Sequence, residues 1–164
     1  MAKMKSLQDL FINLLKDMYY SEKQILRALP KMAKKADSGE LRRAFEDHLK
    51  ETEGQVERLE QVFALCDTKA AGKTCPAIKG ILEEGAEDMK EAADADVLDA
   101  GMIADAQAVE HYEIARYGTL IAWANQLGMR EAATLLNKTL EQEYNADRTL
   151  TELAESSLNR QAAA

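Results

Sequence analysis

Four stretches, each close to thirty residues, carry apolar side chains at steps of three and four, and each is interrupted near its middle by polar groups on the same face. Such steps bring side chains onto one side of an α-helix, so stripe and interruption must face the same core. In the first stretch Leu7, Phe11, Leu14, Met18, Ile25, Leu29 and Met32 leave a gap that Glu22 fills. The second reads Ala44, His48, Glu51, Gln55, Leu59 and Val62; the third reads Ile103, Ala106, Glu110, Glu113, Tyr117 and Leu120. The fourth reads Leu136, Leu140, Glu143, Asp147 and Leu150. An unpaired buried carboxylate is expensive and protonates instead, so four helices that all turn acids inward make a poor apolar bundle. The objection falls away if those side chains hold metal ions.

The punctuation between the stretches sets the topology. The first helix is expected from about Ser6 to Lys35, bent near Arg27 by Pro30 but not stopped by it, because the stripe continues through Met32 and Ala33. Asp37 with Glu40 three residues on reads as a capping box that opens the second helix, which runs to about Leu65. Cys66 to Cys75 reads as a loop, and Pro76 suits the first turn of a short helix over about Ala77 to Glu91. The next long helix spans roughly Asp96 to Gln126, closed by Gly128 as a left-handed cap, and the last runs from about Arg130 to Leu158, with Asn159 to Ala164 expected to fray. The result is an all-α fold in one domain over residues 1–164: a four-helix bundle of two helical hairpins joined by one long crossover that contains a short helix. That topology is the ferritin-like one.

Composition narrows the function classes. With 29 acidic against 21 basic residues the chain carries a net charge of −8, which argues against nucleic acid and anionic membranes as partners. No apolar run approaches the length of a spanning helix, and the basic Met1–Lys5 start leads straight into an amphipathic, acidic segment. A cytoplasmic protein is expected. Cys66 and Cys75, nine residues apart, match no zinc or redox motif; a disulfide between them is conceivable, but in a reducing compartment two free thiols are expected.

Depth along the hairpins supports the metal reading. Glu22 lies fifteen residues before the first turn near residue 37, and Glu51 fourteen after it. Glu113 and Glu143 each lie fifteen residues from the second turn near residue 128, with Glu110 and Asp147 the next matched pair. Antiparallel packing therefore places Glu22 beside Glu51, and Glu110 and Glu113 beside Glu143 and Asp147. Each acid alone is more simply a solvated surface group, and Glu113 alone a partner for Arg116. His48 alone is a surface histidine, which is also the reading for His111, turned away from Glu110. Agreement of face and depth on four helices is what singles the set out. Two divalent cations would offset the charge; carboxylates with an imidazole suit iron or manganese, with magnesium as a substitute in an all-oxygen shell. Tyr19, Tyr117, Tyr112 and Tyr144 stand near the acids, where a phenol donates to a carboxylate's free oxygen. The plainer reading of these rings is packing between helices. Ile121 and Trp123 read as core or as an exposed apolar dimer face.

Several segments resemble the bacterial YciE/YciF family: Asp9-Leu10-Phe11 through Tyr20-Ser21-Glu22-Lys23-Gln24, His48-Leu49-Lys50-Glu51-Thr52, Val109-Glu110-His111-Tyr112-Glu113-Ile114-Ala115 with Tyr117-Gly118-Thr119-Leu120, and Leu140-Glu141-Gln142-Glu143. The resemblance implies a ferritin-like fold related to rubrerythrins, a homodimer, and a stress-associated, ferroxidase-like role. Carried over position by position, it implies Glu22, Glu51, Glu110 and Glu143 as the four glutamate ligands, with Glu51 and Glu143 bridging the ions and carrying catalysis. Glu113 matches a further rubrerythrin glutamate. The chain departs from the di-iron pattern, Glu-x-x-His on two helices: His48 precedes Glu51 by three, and Asp147 follows Glu143 by four. A nitrogen-poor shell favours harder ions and manganese over iron.

The expected metal set is thus Glu22, His48, Glu51, Glu110, Glu113, Glu143 and Asp147. The expected function is ferroxidase- or peroxidase-like handling of ferrous ion or peroxide at a di-iron or di-manganese centre, supplied by a separate electron donor. A non-catalytic bundle with a structural or partner-binding role is the alternative. A cage that stores iron or coats DNA fits worst: a cage needs many subunits, and DNA coating wants basic tails, whereas Gln161-Ala162-Ala163-Ala164 has no charged side chains.

Overall fold

The computed structural model describes residues 3–164, so the first two positions of the basic Met1–Lys5 stretch lie outside the described residues. Among the described residues all regular structure is helical: α1 Leu7–Lys35, α2 Gly39–Leu65, α3 Pro76–Glu91, α4 Ala95–Gln126, α5 Arg130–Leu153, a π-helical turn Ala154–Leu158, and α6 Asn159–Ala162. Ser6 and Asp9 begin α1 with a reciprocal capping box: the Ser6 hydroxyl accepts from the Asp9 amide at 3.1 Å and the Asp9 carboxylate accepts from the Ser6 amide at 3.0 Å. The helix then runs unbroken through Pro30. Gly128, with φ of 75°, makes the left-handed turn between α4 and α5.

Local chemistry at the other ends differs from the sequence reading. The cap of α2 is Ser38 and not Asp37, its hydroxyl accepting from the Leu41 amide at 3.3 Å. Asp37 is taken up elsewhere: its amide and that of Ser38 donate to the two oxygens of buried Asp99 on α4, at 3.0 and 2.7 Å. A long-range acceptor has displaced the local box. At the C-terminus helix continues to Ala162 by way of the π-helical turn, so the expected fraying tail is helical over Asn159–Ala162. Ile121 and Trp123, expected to face a partner or the core, are half-buried and pack on the core of their own chain.

The two hairpins, α1–α2 and α4–α5, pack side by side, α1 against α4 and α2 against α5. Their turns lie at opposite ends of the bundle, as the apolar clusters make plain. One cluster joins Leu29, Met32, Leu41 and Phe45, flanking the first turn, with Met102, Ile103, Leu150 and Leu158. The other joins Phe11, Leu15, Leu59 and Phe63 with Leu120, Ala124, Ala133 and Leu136, which flank the second turn. The crossover after α2 must therefore travel the length of the bundle. It does so along α1, where the Lys73 amide donates to the Lys16 carbonyl at 3.1 Å, and α3 then packs on α4. Between the two apolar clusters lies a layer of buried polar groups: Glu22, His48, Gln55, Glu110, Glu113 and Glu143. Among the described residues no helix is long and apolar enough to cross a membrane.

Candidate metal centre

Each helix delivers its polar groups to the mid-layer on its own apolar stripe. On α1 the buried face runs Met18, Ser21, Glu22, Ile25; on α4 it runs Ala106, Glu110, Glu113, Tyr117. On α5 it runs Leu136, Thr139, Glu143, Leu150. On α2 the buried face runs Phe45, His48, Thr52, Gln55, Leu59. His48, Glu110, Glu113 and Glu143 each offer a ligand atom within 4.8 Å of the others.

Glu51 and Asp147 are not brought into this set. Glu51 was expected beside Glu22 and at the bridging position, but its side chain is 41 % exposed and its Oε2 lies 3.5 Å from His48 Nδ1, on the outer side of the ring. From His48 the stripe advances by four to Thr52 and by three to Gln55, and the alternative step of three to Glu51 leads to the edge of the helix. Asp147 sits at the expected depth but 23 % exposed, its Oδ1 3.1 Å from His111 Nε2 and 3.0 Å from the Gln107 amide nitrogen. The pairing belongs to the outer seam of α4 and α5, and it gives His111 a partner there.

The buried groups satisfy one another only in part. Tyr117 donates its phenol to Glu22 Oε1, and Gln55 donates its amide to Glu143 Oε1. His48 Nε2 lies 3.2 Å from Glu110 Oε1 and 3.7 Å from Glu143 Oε2, without hydrogen-bond alignment. Glu22 Oε2, Glu110 Oε2, Glu143 Oε2, both Glu113 oxygens and both His48 ring nitrogens find no hydrogen-bond partner among the described residues. Buried polar atoms are nearly always paired in folded proteins, so such a concentration around one point is what a cation would resolve. Carboxylate oxygens with a single imidazole are also the donor set that divalent first-row ions and magnesium accept. The residues fit a metal.

The electrostatics carry the same message. Burial pushes the Glu22 carboxyl up to about 7, against the opposing pull of the Tyr117 hydrogen bond. Burial raises Glu113 well above the ordinary carboxylate range, and the charges of Glu22, Glu143 and Glu110 raise it further. Glu143 is likewise raised, first by burial and then by the neighbouring Glu110 carboxyl. Burial alone would raise Glu110 and lower His48, but the two face each other as ions: His48 holds Glu110 below its usual value, and Glu110 holds the imidazole well above its own. Without a cation, protons and one imidazolium do the neutralising.

A further set of groups steadies the layer from behind. Arg58 donates to Gln142 Oε1 at 2.7 and 2.9 Å and to Thr139 Oγ1 at 2.7 Å, while Gln55 also reaches Gln142 Oε1 at 3.4 Å. The Gln142 carbonyl thus anchors the amide that donates to Glu143. The sequence reading passed over Arg58 and Gln142; the step of three from Gln55 to Arg58 was the available signal. Of the tyrosines, Tyr117 reaches an acid of the layer. Tyr19 instead donates to Glu60 at 2.7 Å, Tyr112 shares a hydrogen bond with the buried free thiol Cys75 at 3.0 Å, and Tyr144 is exposed. A cavity of about 210 Å³ reaches from the surface between α2 and α5 to His48, Glu51 and Glu110.

Comparison with known proteins gives a consistent lineage. Protein YciF of Escherichia coli K12 is 47 % identical over 160 residues, spanning 97 % of this chain and 96 % of that protein. The crystal structure of the E. coli stress protein YciF superposes with a TM-score of 0.91 at 47 % identity, over 95 % of this chain and 99 % of that one. A Rhodopseudomonas palustris protein, YcfI, gives 0.89 at 47 % identity, over 91 % and 95 %. A Xanthomonas campestris protein at 23 % identity shares the fold, with a TM-score of 0.73 over 95 % and 99 %. The sequence profile described as "Domain of unknown function (DUF892)" matches residues 6–163, and the chain belongs to that family.

Proposed function

We propose that this chain is a ferritin-like dimetal-carboxylate protein whose buried centre holds two divalent ions, iron or manganese, for ferroxidase- or peroxidase-like handling of ferrous ion or peroxide. The observation that carries the reading is the convergence of unpartnered ligand atoms from four helices in one buried layer. Bound there, the ions would supply one-electron redox chemistry that no side chain of the layer offers. Glu110, Glu113, Glu143 and His48 would hold them, with Glu22 completing the charge. Four carboxylates balance two divalent ions, so His48 binds as neutral imidazole and must give up its proton on loading. Tyr117 and Gln55 fix Glu22 and Glu143 in the free protein, which holds the layer open. Glu51 stands at the entrance, where its carboxylate draws cations toward His48. The name of the E. coli relative, a stress protein, suits a protein that removes ferrous ion or peroxide. We include in the proposal a cytoplasmic homodimer, without nucleic-acid or membrane partners and served by a separate electron donor; light scattering at micromolar concentration would return dimer mass.

Metal analysis tests the reading. Protein reconstituted with ferrous or manganous ion and desalted should retain two ions per chain, and Glu113→Gln with Glu143→Gln should retain none. Retention unaffected by the double substitution would refute it. A second reading has its own support: the raised carboxyls and the His48–Glu110 ion pair let the layer neutralise itself without metal. A parent that binds no ion while the double variant gains stability would favour this structural role.

A further inference from the structure

The cavity beside the centre is larger and more apolar than ion entry requires. A cation passing to carboxylates gains from oxygen ligands along its way. Here Asp47, Glu51, Asn145 and Thr149 offer oxygens, but Leu29 of α1, Phe45 of α2 and Leu150 of α5 add an apolar wall that an ion does not need. The space itself is made by three alanines on three helices, Ala44, Ala106 and Ala146, where larger side chains would close the bundle. A cavity of about 210 Å³ exceeds the ~150 Å³ that suffices for benzene in an apolar engineered site, and falls short of the ~300 Å³ at which drug-sized pockets begin. One ring with a short polar arm is the size it takes.

Its polar side is built. His48 and Glu110, 7 % and 3 % exposed, line it, and both imidazole nitrogens and one Glu110 oxygen lack a hydrogen-bond partner among the described residues. Glu51 and Asp47 stand at the mouth; Asp47 is tied to Lys50 at 2.8 Å, whereas Glu51 has no Lys or Arg partner among the described residues and only its Oε2 faces His48 Nδ1, at 3.5 Å. Among the described residues neither Lys nor Arg lines the cavity. Loading the centre does not reverse this sign, since two divalent ions only cancel Glu22, Glu110, Glu113 and Glu143. In the free protein the one imidazolium of the lining, His48, is outnumbered by Glu51 and Glu110, and in the loaded one Glu51 remains, so the lining favours a cation over an anion in both states.

We propose that this cavity is a binding site for a small organic amine, its apolar body seated among Leu29, Phe45 and Leu150 and its ammonium group against Glu51. The inference goes beyond the metal reading and does not depend on it. Benzylamine, benzyl alcohol and benzoate are titrated calorimetrically into the full chain, in chelator and after saturation with manganous ion. Benzylamine should bind saturably in both states, benzyl alcohol about tenfold more weakly and benzoate more weakly still, a difference of the size one charge–charge contact gives. Glu51→Gln should bring the amine down to the alcohol. Ala44→Leu, at a half-buried helical position, should abolish binding of both while the manganese bound per chain at equilibrium is unchanged, since Ala44 offers no ligand atom; Ala146→Leu is the second variant if the first loses its helical circular dichroism. No saturable benzylamine binding, undiminished binding in both leucine variants, or equal affinity for amine and benzoate would overturn the proposal. Benzylamine binding that depends on Ala44 in a chain that takes up no manganese would leave the pocket standing and remove the metal reading; manganese uptake without benzylamine binding would do the reverse.

Discussion

Glu113 is the residue on which the free protein's energetics turn. Both its oxygens are buried without partners, and three other carboxyls face it. The sign of its pH effect follows from the raised folded-state value: stability is fully present below the unfolded carboxyl value and is lost as pH climbs through the folded one. Glu22 defines the window, from its ordinary 4.5 to about 7. Glu143 and His48, also raised, push the same way, and lowered Glu110 opposes them at the acid end. Urea midpoints in chelator should therefore fall as pH rises through that window, and Glu113→Gln should flatten the fall. An identical slope in the variant would show that Glu113 is not the group responsible. Much of this layer was legible in the sequence, because Glu22, Glu110, Glu113 and Glu143 each had apolar neighbours three or four residues away on both sides. Glu51 and Asp147 were misplaced for one reason: steps of three and four differ by a helical residue's rotation of ~100°, and both drew an acceptable stripe. His48 and Gln55 do face inward on α2, and Thr52 takes the place between them that Glu51 was given.

At the scale of elements, the joints between helices rest on single residues. Asp99, buried on α4, receives two amides from the α1–α2 turn and so ties one hairpin to the other. Asp99→Ala leaves those donors unsatisfied and should cost about 1–3 kcal/mol by chemical denaturation. No sequence signal marks such a contact, since its partners lie more than sixty residues apart. Helix α3 offers a paired test. At Gly85, packed on α4, an added Cβ would meet Asp105 at 3.1 Å, whereas nothing lies within 4 Å of one at exposed Gly80. Gly80→Ala should stabilise by roughly 0.5–1 kcal/mol, the helix-propensity gain. Gly85→Ala should lose that gain or reverse it, because the Asp105 side chain must shift. Equal melting temperatures for the two variants would refute the close approach. The helical turn at Ala154–Leu158 was not foreseen either: its wide spacing follows no Pro or Gly, and the apolar series Leu150, Ala154, Leu158 reads as ordinary α-helix.

For the molecule as a whole, the polar layer divides the apolar interior in two. The long helices run through both clusters, but among the partly buried hydrophobics of the described residues only Tyr112 packs against both. Amide exchange should see this division. In chelator at neutral pH the end holding Phe11, Phe63 and Leu136 and the end holding Phe45, Met102 and Leu150 should exchange as separate cooperative units, each with its own opening free energy. Whatever occupies the layer joins them. Protonation of the carboxyls, or a cation held by groups from all four long helices, makes opening one end cost the contacts of the other. The two sets of exchange rates should then converge, which exchange measured with and without manganous ion, at neutral and acid pH, would register. The layer thus sets the size of the cooperative unit: its occupancy decides whether the bundle melts in halves or as one.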